Sequence, residues 1–300
     1  MQIARRLVCI AALFAIAAFA SAAANELEDA LKRKLLGKDS EQTRTDLNKK
    51  KAPAADRAKS QAPEINLFDD VSDEEELALG QHIAGNLLGA APPIRDAELQ
   101  RYINQVGRWV ALQSERADLS WTFAVIDSAD INAFAIPGGY VFVTSGLYRI
   151  LQDEAELAGV LGHEIAHIVR RHHIEVLKKS QLLGAGAELL TRKLGDEKGL
   201  QRLIGSGAEI MSRGLDKSAE FEADRMGVVL AARAGYDPYA LISVLQRIGE
   251  RSGGDSSTAL LFKTHPHPDA RLEKLAAAIG NRFDRLGEGK LLAERFVQLQ

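Results

Sequence analysis

Between Asp153 and Arg171 the chain is apolar at almost every turn, yet it carries His163, Glu164 and His167 in its middle. That combination narrows the possible folds more than any other stretch. Leu157, Val160, Leu161, Ile165, Ile168 and Val169 recur at helical spacing over a broad surface, so the predicted helix lies within a core. Asp153 followed by Glu156 reads as an N-cap with its capping-box partner. Residues i and i+4 share a helix face with Cβ atoms roughly 5–6 Å apart. Both imidazoles therefore reach a single ion at Zn–N distances of about 2.0–2.1 Å. Without an ion, each buried polar group left unsatisfied costs about 1–3 kcal/mol. Glu164 projects beside the pair, where it reaches a water on the metal without being a ligand. Gly159 and Gly162 each cost about 1 kcal/mol relative to Ala inside a helix, which predicts close packing against a neighbouring element.

A metal with two histidine ligands needs a third protein donor, and three candidates stand open. Glu220 and Asp224 share the face of a second apolar-periodic helix, a geometry suited to a ligand plus an acceptor that orients a ligating imidazole. An exposed acidic face is their ordinary alternative. His173 stands ten residues after His163, where an extended three-histidine pattern has its last ligand. That pattern needs a glycine where this chain has Arg170, so Arg170, Arg171, His172 and His173 read as a basic cluster facing water at a helix C-terminus. His265 lies in Thr264-His265-Pro266-His267-Pro268, whose prolines stiffen a loop. Such a loop either aims a side chain into a cleft or forms a surface turn.

His163-Glu164-x-x-His167, then Glu220-x-x-x-Asp224, then Thr264-His265-Pro266 resemble the zinc metallopeptidase family of HtpX and the CAAX prenyl protease, peptidase family M48. Ile131 to Val143, with Pro137-Gly138-Gly139 inside it, is similar to the strand and turn before the zinc helix in the soluble periplasmic branch of that family, to which BepA and LoiP belong. The likeness runs from about Leu67 to Leu275. It implies His163, His167 and Glu220 as ligands of one Zn2+, Glu164 as the catalytic glutamate, Asp224 behind the ligands, and His265 as a residue able to approach the metal. No stretch after the first two dozen residues supplies about 20 uninterrupted apolar residues, unlike the membrane-spanning members. No repeat of the 34-residue tetratricopeptide type is present either.

Zinc lowers the pKa of its water to around 7, and Glu164 accepts the proton and returns it to the departing amine. Stabilising the oxyanion needs the metal and a nearby donor, for which His265 and Arg271 are the candidates. Trp121 to Val125 and Tyr140 to Val143 read as strands around a Pro-Gly-Gly turn. If one is a sheet edge beside the zinc helix, an extended peptide can add to it through its backbone. Ordinary core packing accounts for Phe134, Tyr140 and Phe142.

Arg5 and Arg6, the apolar Leu7 to Ala20 and the alanine cluster that follows predict a secretory signal peptide over 1–24 and a periplasmic protein. Cys9, the only cysteine, falls inside it. Residues 25–66 are charge-rich and read as a flexible or helical N-terminal segment, 67–280 as the peptidase domain and 281–300 as a C-terminal tail. A net charge of -3 gives no basis for nucleic-acid binding. The expected partners are unfolded or misassembled protein substrates, with peripheral contact to the outer membrane or its assembly machinery.

The fold class expected is α+β and predominantly helical, a zincin-like metallopeptidase domain with a small β-sheet against the HExxH helix. Helices are expected over Ser72 to Leu88, Ile94 to Gln113, Asp153 to Arg171, Ser218 to Ala234, Tyr239 to Arg247 and Asp269 to Ile279, the first capped by Ser72 and Glu75. Small-residue runs between Ile174 and Leu215 suit either close helix packing or a lid. Two functions are compatible with these residues: a periplasmic zinc endopeptidase acting in envelope quality control, and a holdase or assembly factor using the same cleft with little turnover.

Overall fold

The computed structural model describes residues 70–179, 215–251, 256–283 and 289–299, all within one unit of the chain, Gln61–Gln300. The expected signal peptide and charged N-terminal segment lie outside the described residues, as does most of the stretch weighed as a lid. Helices dominate, with a small three-stranded sheet among them.

Helix α1 spans Asp73–Ala90 and starts where the sequence places its cap. Glu75 N–H donates to Ser72 Oγ at 3.2 Å, and Ser72 N–H donates to Glu75 Oε2 at 2.9 Å. Helix α2, Ala97–Ala111, begins later than expected. Asp96 caps it by accepting from Glu98 and Leu99, while Ile94 N–H is taken by Val125 O of the sheet.

The strands are β1 (Thr122–Ile126), β2 (Ala133–Ile136) and β3 (Tyr140–Thr144), in the order β1-β3-β2. β3 runs parallel to β1 with Thr122 opposite Tyr140, and antiparallel to β2 with Ala133 opposite Val143. Gly138 (φ 78°) and Gly139 (φ 96°) make the β2–β3 turn in the left-handed region, where an L side chain is strained. The outer edge of β1 is closed by side chains of α2. Gln100 brackets Val125 through both its N–H and C=O, and Asn104 does the same for Phe123. β2 is the opposite edge, and the helix Glu154–Val169 packs against it.

After the short α3 (Ser145–Tyr148), helix α4 covers Glu154–Val169 with every residue buried. Asp153 caps it as expected, accepting from Glu156 N–H at 2.8 Å. The Glu156 carboxylate does not complete the box on Asp153. It accepts from Gln152 N–H and from both terminal nitrogens of Arg247, whose charge holds it sideways.

Helix α5 (Lys217–Arg233) lies against α4, followed by α6 (Ala240–Arg251), the short α7 (Leu261–Thr264) and α8 (Pro268–Ile279). A Cβ on Gly159 would meet Leu241 of α6 at 3.1 Å, and one on Gly162 would meet Gly227 O of α5 at 2.7 Å. The close packing expected of these glycines is what the helices do.

Residues 289–299, within the expected C-terminal tail, pack onto the domain. Phe296 stacks on Tyr148 with ring centroids 5.1 Å apart, and Tyr148 OH donates to Val297 O. Ala155 N–H donates to Leu291 O near the start of α4. Aromatic burial offsets the entropy of ordering this segment.

Candidate metal centre

Two helices and one loop bring four donor side chains together. His163 and His167 come from consecutive turns of α4, Glu220 from the first turn of α5, and His265 from the residue after α7. One donor atom from each lies within 4.8 Å of the others, and all four side chains are buried. His163 Nε2 and His167 Nε2 stand 3.0 Å apart. Glu220 Oε2 is 3.7 Å from the first nitrogen and Oε1 is 3.6 Å from the second. His265 Nδ1 sits 2.9 Å from Glu220 Oε2. His173 is beside His167, with ring centroids 5.8 Å apart, but is not in this group.

Behind the donors the α5 face is a buried polar layer rather than an exposed acidic one. Glu220 and Asp224 are 0% and 1% exposed. Asp224 Oδ1 lies 2.9 Å from His163 Nδ1 and accepts from Arg271 Nη2 at 2.6 Å, while Oδ2 accepts from Arg271 Nε at 2.9 Å. Arg271 Nη2 also comes within 3.3 Å of His163 Nδ1. The carboxylate is nearer, and of the two only it accepts an imidazole N–H. With the proton on Nδ1, the Nε2 lone pair of His163 faces the other donors.

The chain past α4 departs from expectation: after the turn at Arg170 and Arg171, a further helical segment begins at His172. His172 and His173 are buried, not exposed to water. Arg171 adopts φ 53° and reverses the chain, and its guanidinium is held by Val71 O, Asp73 and Glu76. A non-glycine residue in that region needs such anchoring. Glu76 also accepts from Gly138 N–H, tying the β2–β3 turn to the same anchor.

Electrostatics separate the carboxylates in the metal-free protein. Burial pushes Glu164 above the ordinary range, opposed only in part by His163 and His265. Burial also acts on Glu220, but His265 and Arg271 outweigh it and hold the carboxyl at about 2. The Arg271 ion pair likewise overcomes burial at Asp224 and keeps it well below the usual range. Burial alone would lower His265, yet Glu220 raises it. Burial and neighbouring imidazoles push His167 well down.

Glu164, His163, His265 and Arg271 line a cavity of about 30 Å³ walled by Val160, Leu241, Val244 and Leu261. That volume suits one water and is too small for a peptide. Ala133 of β2 also lines it. Asn132, immediately before β2, is fully buried, and both polar atoms of its side chain lack a partner. Sequence reasoning passed over Asn132, because an asparagine before a strand looks like any turn residue. Only its burial without partners marks it.

Two imidazole nitrogens and a carboxylate, each backed by a polar layer and leaving room for water, fit a divalent cation such as zinc. Comparison with known proteins agrees. The sequence profile described as Peptidase family M48 matches residues 93–279, which contain every donor above. The beta-barrel assembly-enhancing protease of Yersinia pestis is 32% identical over 210 residues, covering 67% of this chain and 43% of that protein. The protein of the same name from Escherichia coli (strain K12) is 31% identical over 206 residues, covering 66% of this chain and 42% of its own length. The mitochondrial metalloendopeptidase OMA1 of Schizosaccharomyces pombe is 29% identical over 174 residues, 58% of this chain and 51% of that protein. The chain thus spans less than half the length of the two bacterial relatives.

Proposed function

We propose that this chain, which belongs to peptidase family M48, is a zinc-dependent endopeptidase that cleaves extended segments of unfolded or misassembled envelope proteins in the periplasm. The observation that carries the reading is the convergence of His163, His167 and Glu220, from two different helices, with Glu164 on the adjoining cavity. When bound, zinc polarises a carbonyl and lowers the pKa of a coordinated water.

The chain's own residues do the rest. His163, His167 and Glu220 hold the cation. Asp224 fixes the tautomer and orientation of His163, and Arg271 holds Asp224 through two hydrogen bonds. Arg271 was expected among the oxyanion donors; Asp224 holds its Nε and Nη2, which makes it a positioning residue, and Nη1, 3.9 Å from Glu220 Oε2, is the nitrogen left over for that task. Glu164 takes a proton from water and delivers it to the leaving amine, and its raised affinity for protons suits that double task. His265 is the other donor candidate for the oxyanion, once it leaves Glu220.

β2 is the edge on which a peptide would lie. Thr144 N–H donates to Asn132 O, so by antiparallel alternation Ala133 and Ala135 turn their backbone groups outward. The unpartnered Asn132 amide stands at the head of that edge and would pair with the peptide backbone. The 30 Å³ cavity requires the α7 loop carrying His265 to yield before a substrate enters.

The names of the bacterial relatives refer to beta-barrel assembly, which supports an envelope substrate, and the predicted signal peptide supports the periplasm. No helix among the described residues is long and apolar enough to cross a membrane. The test is metal content of the purified protein together with casein hydrolysis before and after chelation, for wild type and Glu164→Gln. One zinc per chain in both proteins, with hydrolysis in the wild type alone, is expected. Metal-independent hydrolysis, or none in the zinc-loaded wild type, overturns the reading, and client binding without turnover supports the holdase alternative.

A further inference from the structure

His167 has a second neighbour on the side away from the metal centre. Its Nδ1 lies 2.9 Å from Nδ1 of His172, and both rings are buried. Two imidazole nitrogens at that distance share one proton, so one donates and the other accepts. The far nitrogen of His172, Nε2, is 3.6 Å from Glu222 Oε2, a charge contact longer than a hydrogen bond. Glu222 sits on α5 two residues beyond Glu220 and is itself held by Arg170 Nε at 3.0 Å.

The direction of the shared proton follows from the other side of His167. Its Nε2 faces His163 and Glu220, and holding a cation there requires a free lone pair. The proton of His167 must then be on Nδ1, which makes it the donor. His172 Nδ1 becomes the acceptor, and its own proton goes to Nε2, toward the negative charge of Glu222. Each step fixes the next.

We propose that His172, backed by Glu222, is a positioning residue for the metal ligand His167, setting its tautomer and ring orientation as Asp224 does for His163. The two ligands are thus oriented by different chemistry. His163 leans on a carboxylate carried by α5, and His167 leans on a neutral imidazole delivered by the chain reversal at Arg171. The left-handed Arg171 acquires a purpose from this arrangement: it turns the chain so that a residue five positions after His167 returns to its ring.

This inference rests on the metal-centre reading above, and its test keeps the two apart. Zinc affinity is measured by competition with a chromophoric chelator for wild type, His172→Ala, His172→Asn and Glu222→Gln, each checked for native circular dichroism. Loss of an outer partner of a metal-ligating histidine costs about 10–100-fold in metal affinity, and His172→Ala should fall in that range. His172→Asn places an amide oxygen where Nδ1 accepts and should recover most of the loss, whereas Glu222→Gln should lose less than His172→Ala. A natively folded His172→Ala with wild-type affinity overturns the proposal.

Should that variant fail to fold, nitrogen-15 NMR of the zinc-loaded wild type decides. Protonation of His172 on Nε2 is expected, and protonation on Nδ1 overturns the proposal. Failure of the wild type to hold zinc at all overturns the metal centre itself, a different result from equal affinities.

Discussion

Gly162 and Gly227 meet backbone to backbone where α4 crosses α5. A Cβ on Gly162 would lie 2.7 Å from Gly227 O, and a Cβ on Gly227 would lie 2.7 Å from the backbone nitrogen of His163. One residue from this contact stands a proposed metal ligand, and one and two turns before it on α5 stand Asp224 and Glu220. The separation of the helices at this point therefore sets the separation of the donors.

Gly227→Ala forces that contact apart, because the obstructing atoms are backbone and cannot rotate away. Overpacking of this kind costs about 1–3 kcal/mol. The expected outcome is a lower urea midpoint together with weaker zinc binding by chelator competition. Unchanged values for both would show that the helix spacing does not hold the donors.

Asp224→Ala leaves Arg271 buried without its carboxylate, 5% exposed and opposite an empty space. Breaking a buried pair by removing one partner costs about 3–5 kcal/mol. Chemical denaturation should show a loss of that order. Asp224→Asn keeps an acceptor for the His163 N–H and should retain zinc better than Asp224→Ala.

Metal-free protein should lose stability in two successive steps as pH falls. Burial depresses His173 to about 4, so between the unfolded value near 6.5 and that figure the unfolded chain binds more protons, and stability falls as pH falls. Glu220, held at about 2, gives a contribution present above about 4.5 and lost on descending toward 2. His265, raised by Glu220, has the opposite sign: its contribution is full below about 6.5 and is lost as pH rises through its folded value. Urea titrations of wild type and His173→Asn from pH 7.5 to 4 isolate the first effect. The variant should show a shallower decline, and an equally steep one would contradict the assignment.

Glu164→Gln should reduce peptide turnover by about 10²–10⁴-fold, the usual contribution of a general base, while zinc stays bound. Because burial raises Glu164, its charged form opposes folding at neutral pH: its contribution to stability is full below about 4.5 and is lost as pH climbs through the folded value. The glutamine variant, free of that charge, should melt at a higher temperature than wild type in the absence of metal. Calorimetry of the two chelated proteins checks this.

Asn132→Leu replaces an unpartnered buried amide by an apolar group of nearly the same shape, so folding stability should hold or increase. If the amide pairs with the peptide backbone, kcat/KM should drop by about tenfold for each 1.4 kcal/mol of lost transition-state contact. Thermal melts and casein kinetics on the same preparation read both effects. A full-speed variant would remove Asn132 from the peptide edge.

Much of the helical frame was legible because its signals are local. Ser72 with Glu75, and Asp153 before α4, mark helix starts through side chains a few residues from the backbone groups they satisfy. Pro137-Gly138-Gly139 announced its turn for the same reason, since positive φ selects glycine at the position itself. Where a distant partner competes, local reading failed. Glu156 left its capping box for Arg247, and α2 started late because Ile94 pairs with β1.

The site divides along the same line. Sequence alone determined that His163 and His167 share a helix face with Glu164 beside them, and that Glu220 and Asp224 share another, because a 3.6-residue repeat places side chains without outside help. Residue spacing left Glu220, His173 and His265 open as the third donor, a choice for which the resemblance implied Glu220, and it put His172 in water. Only the tertiary structure brought Glu220 to the histidines, turned His172 onto His167 and left Asn132 without a partner. Those outcomes depend on backbone contact between α4 and α5 and on a chain reversal at Arg171 that α1 anchors, and such distant packing leaves no periodic trace in the order of residues.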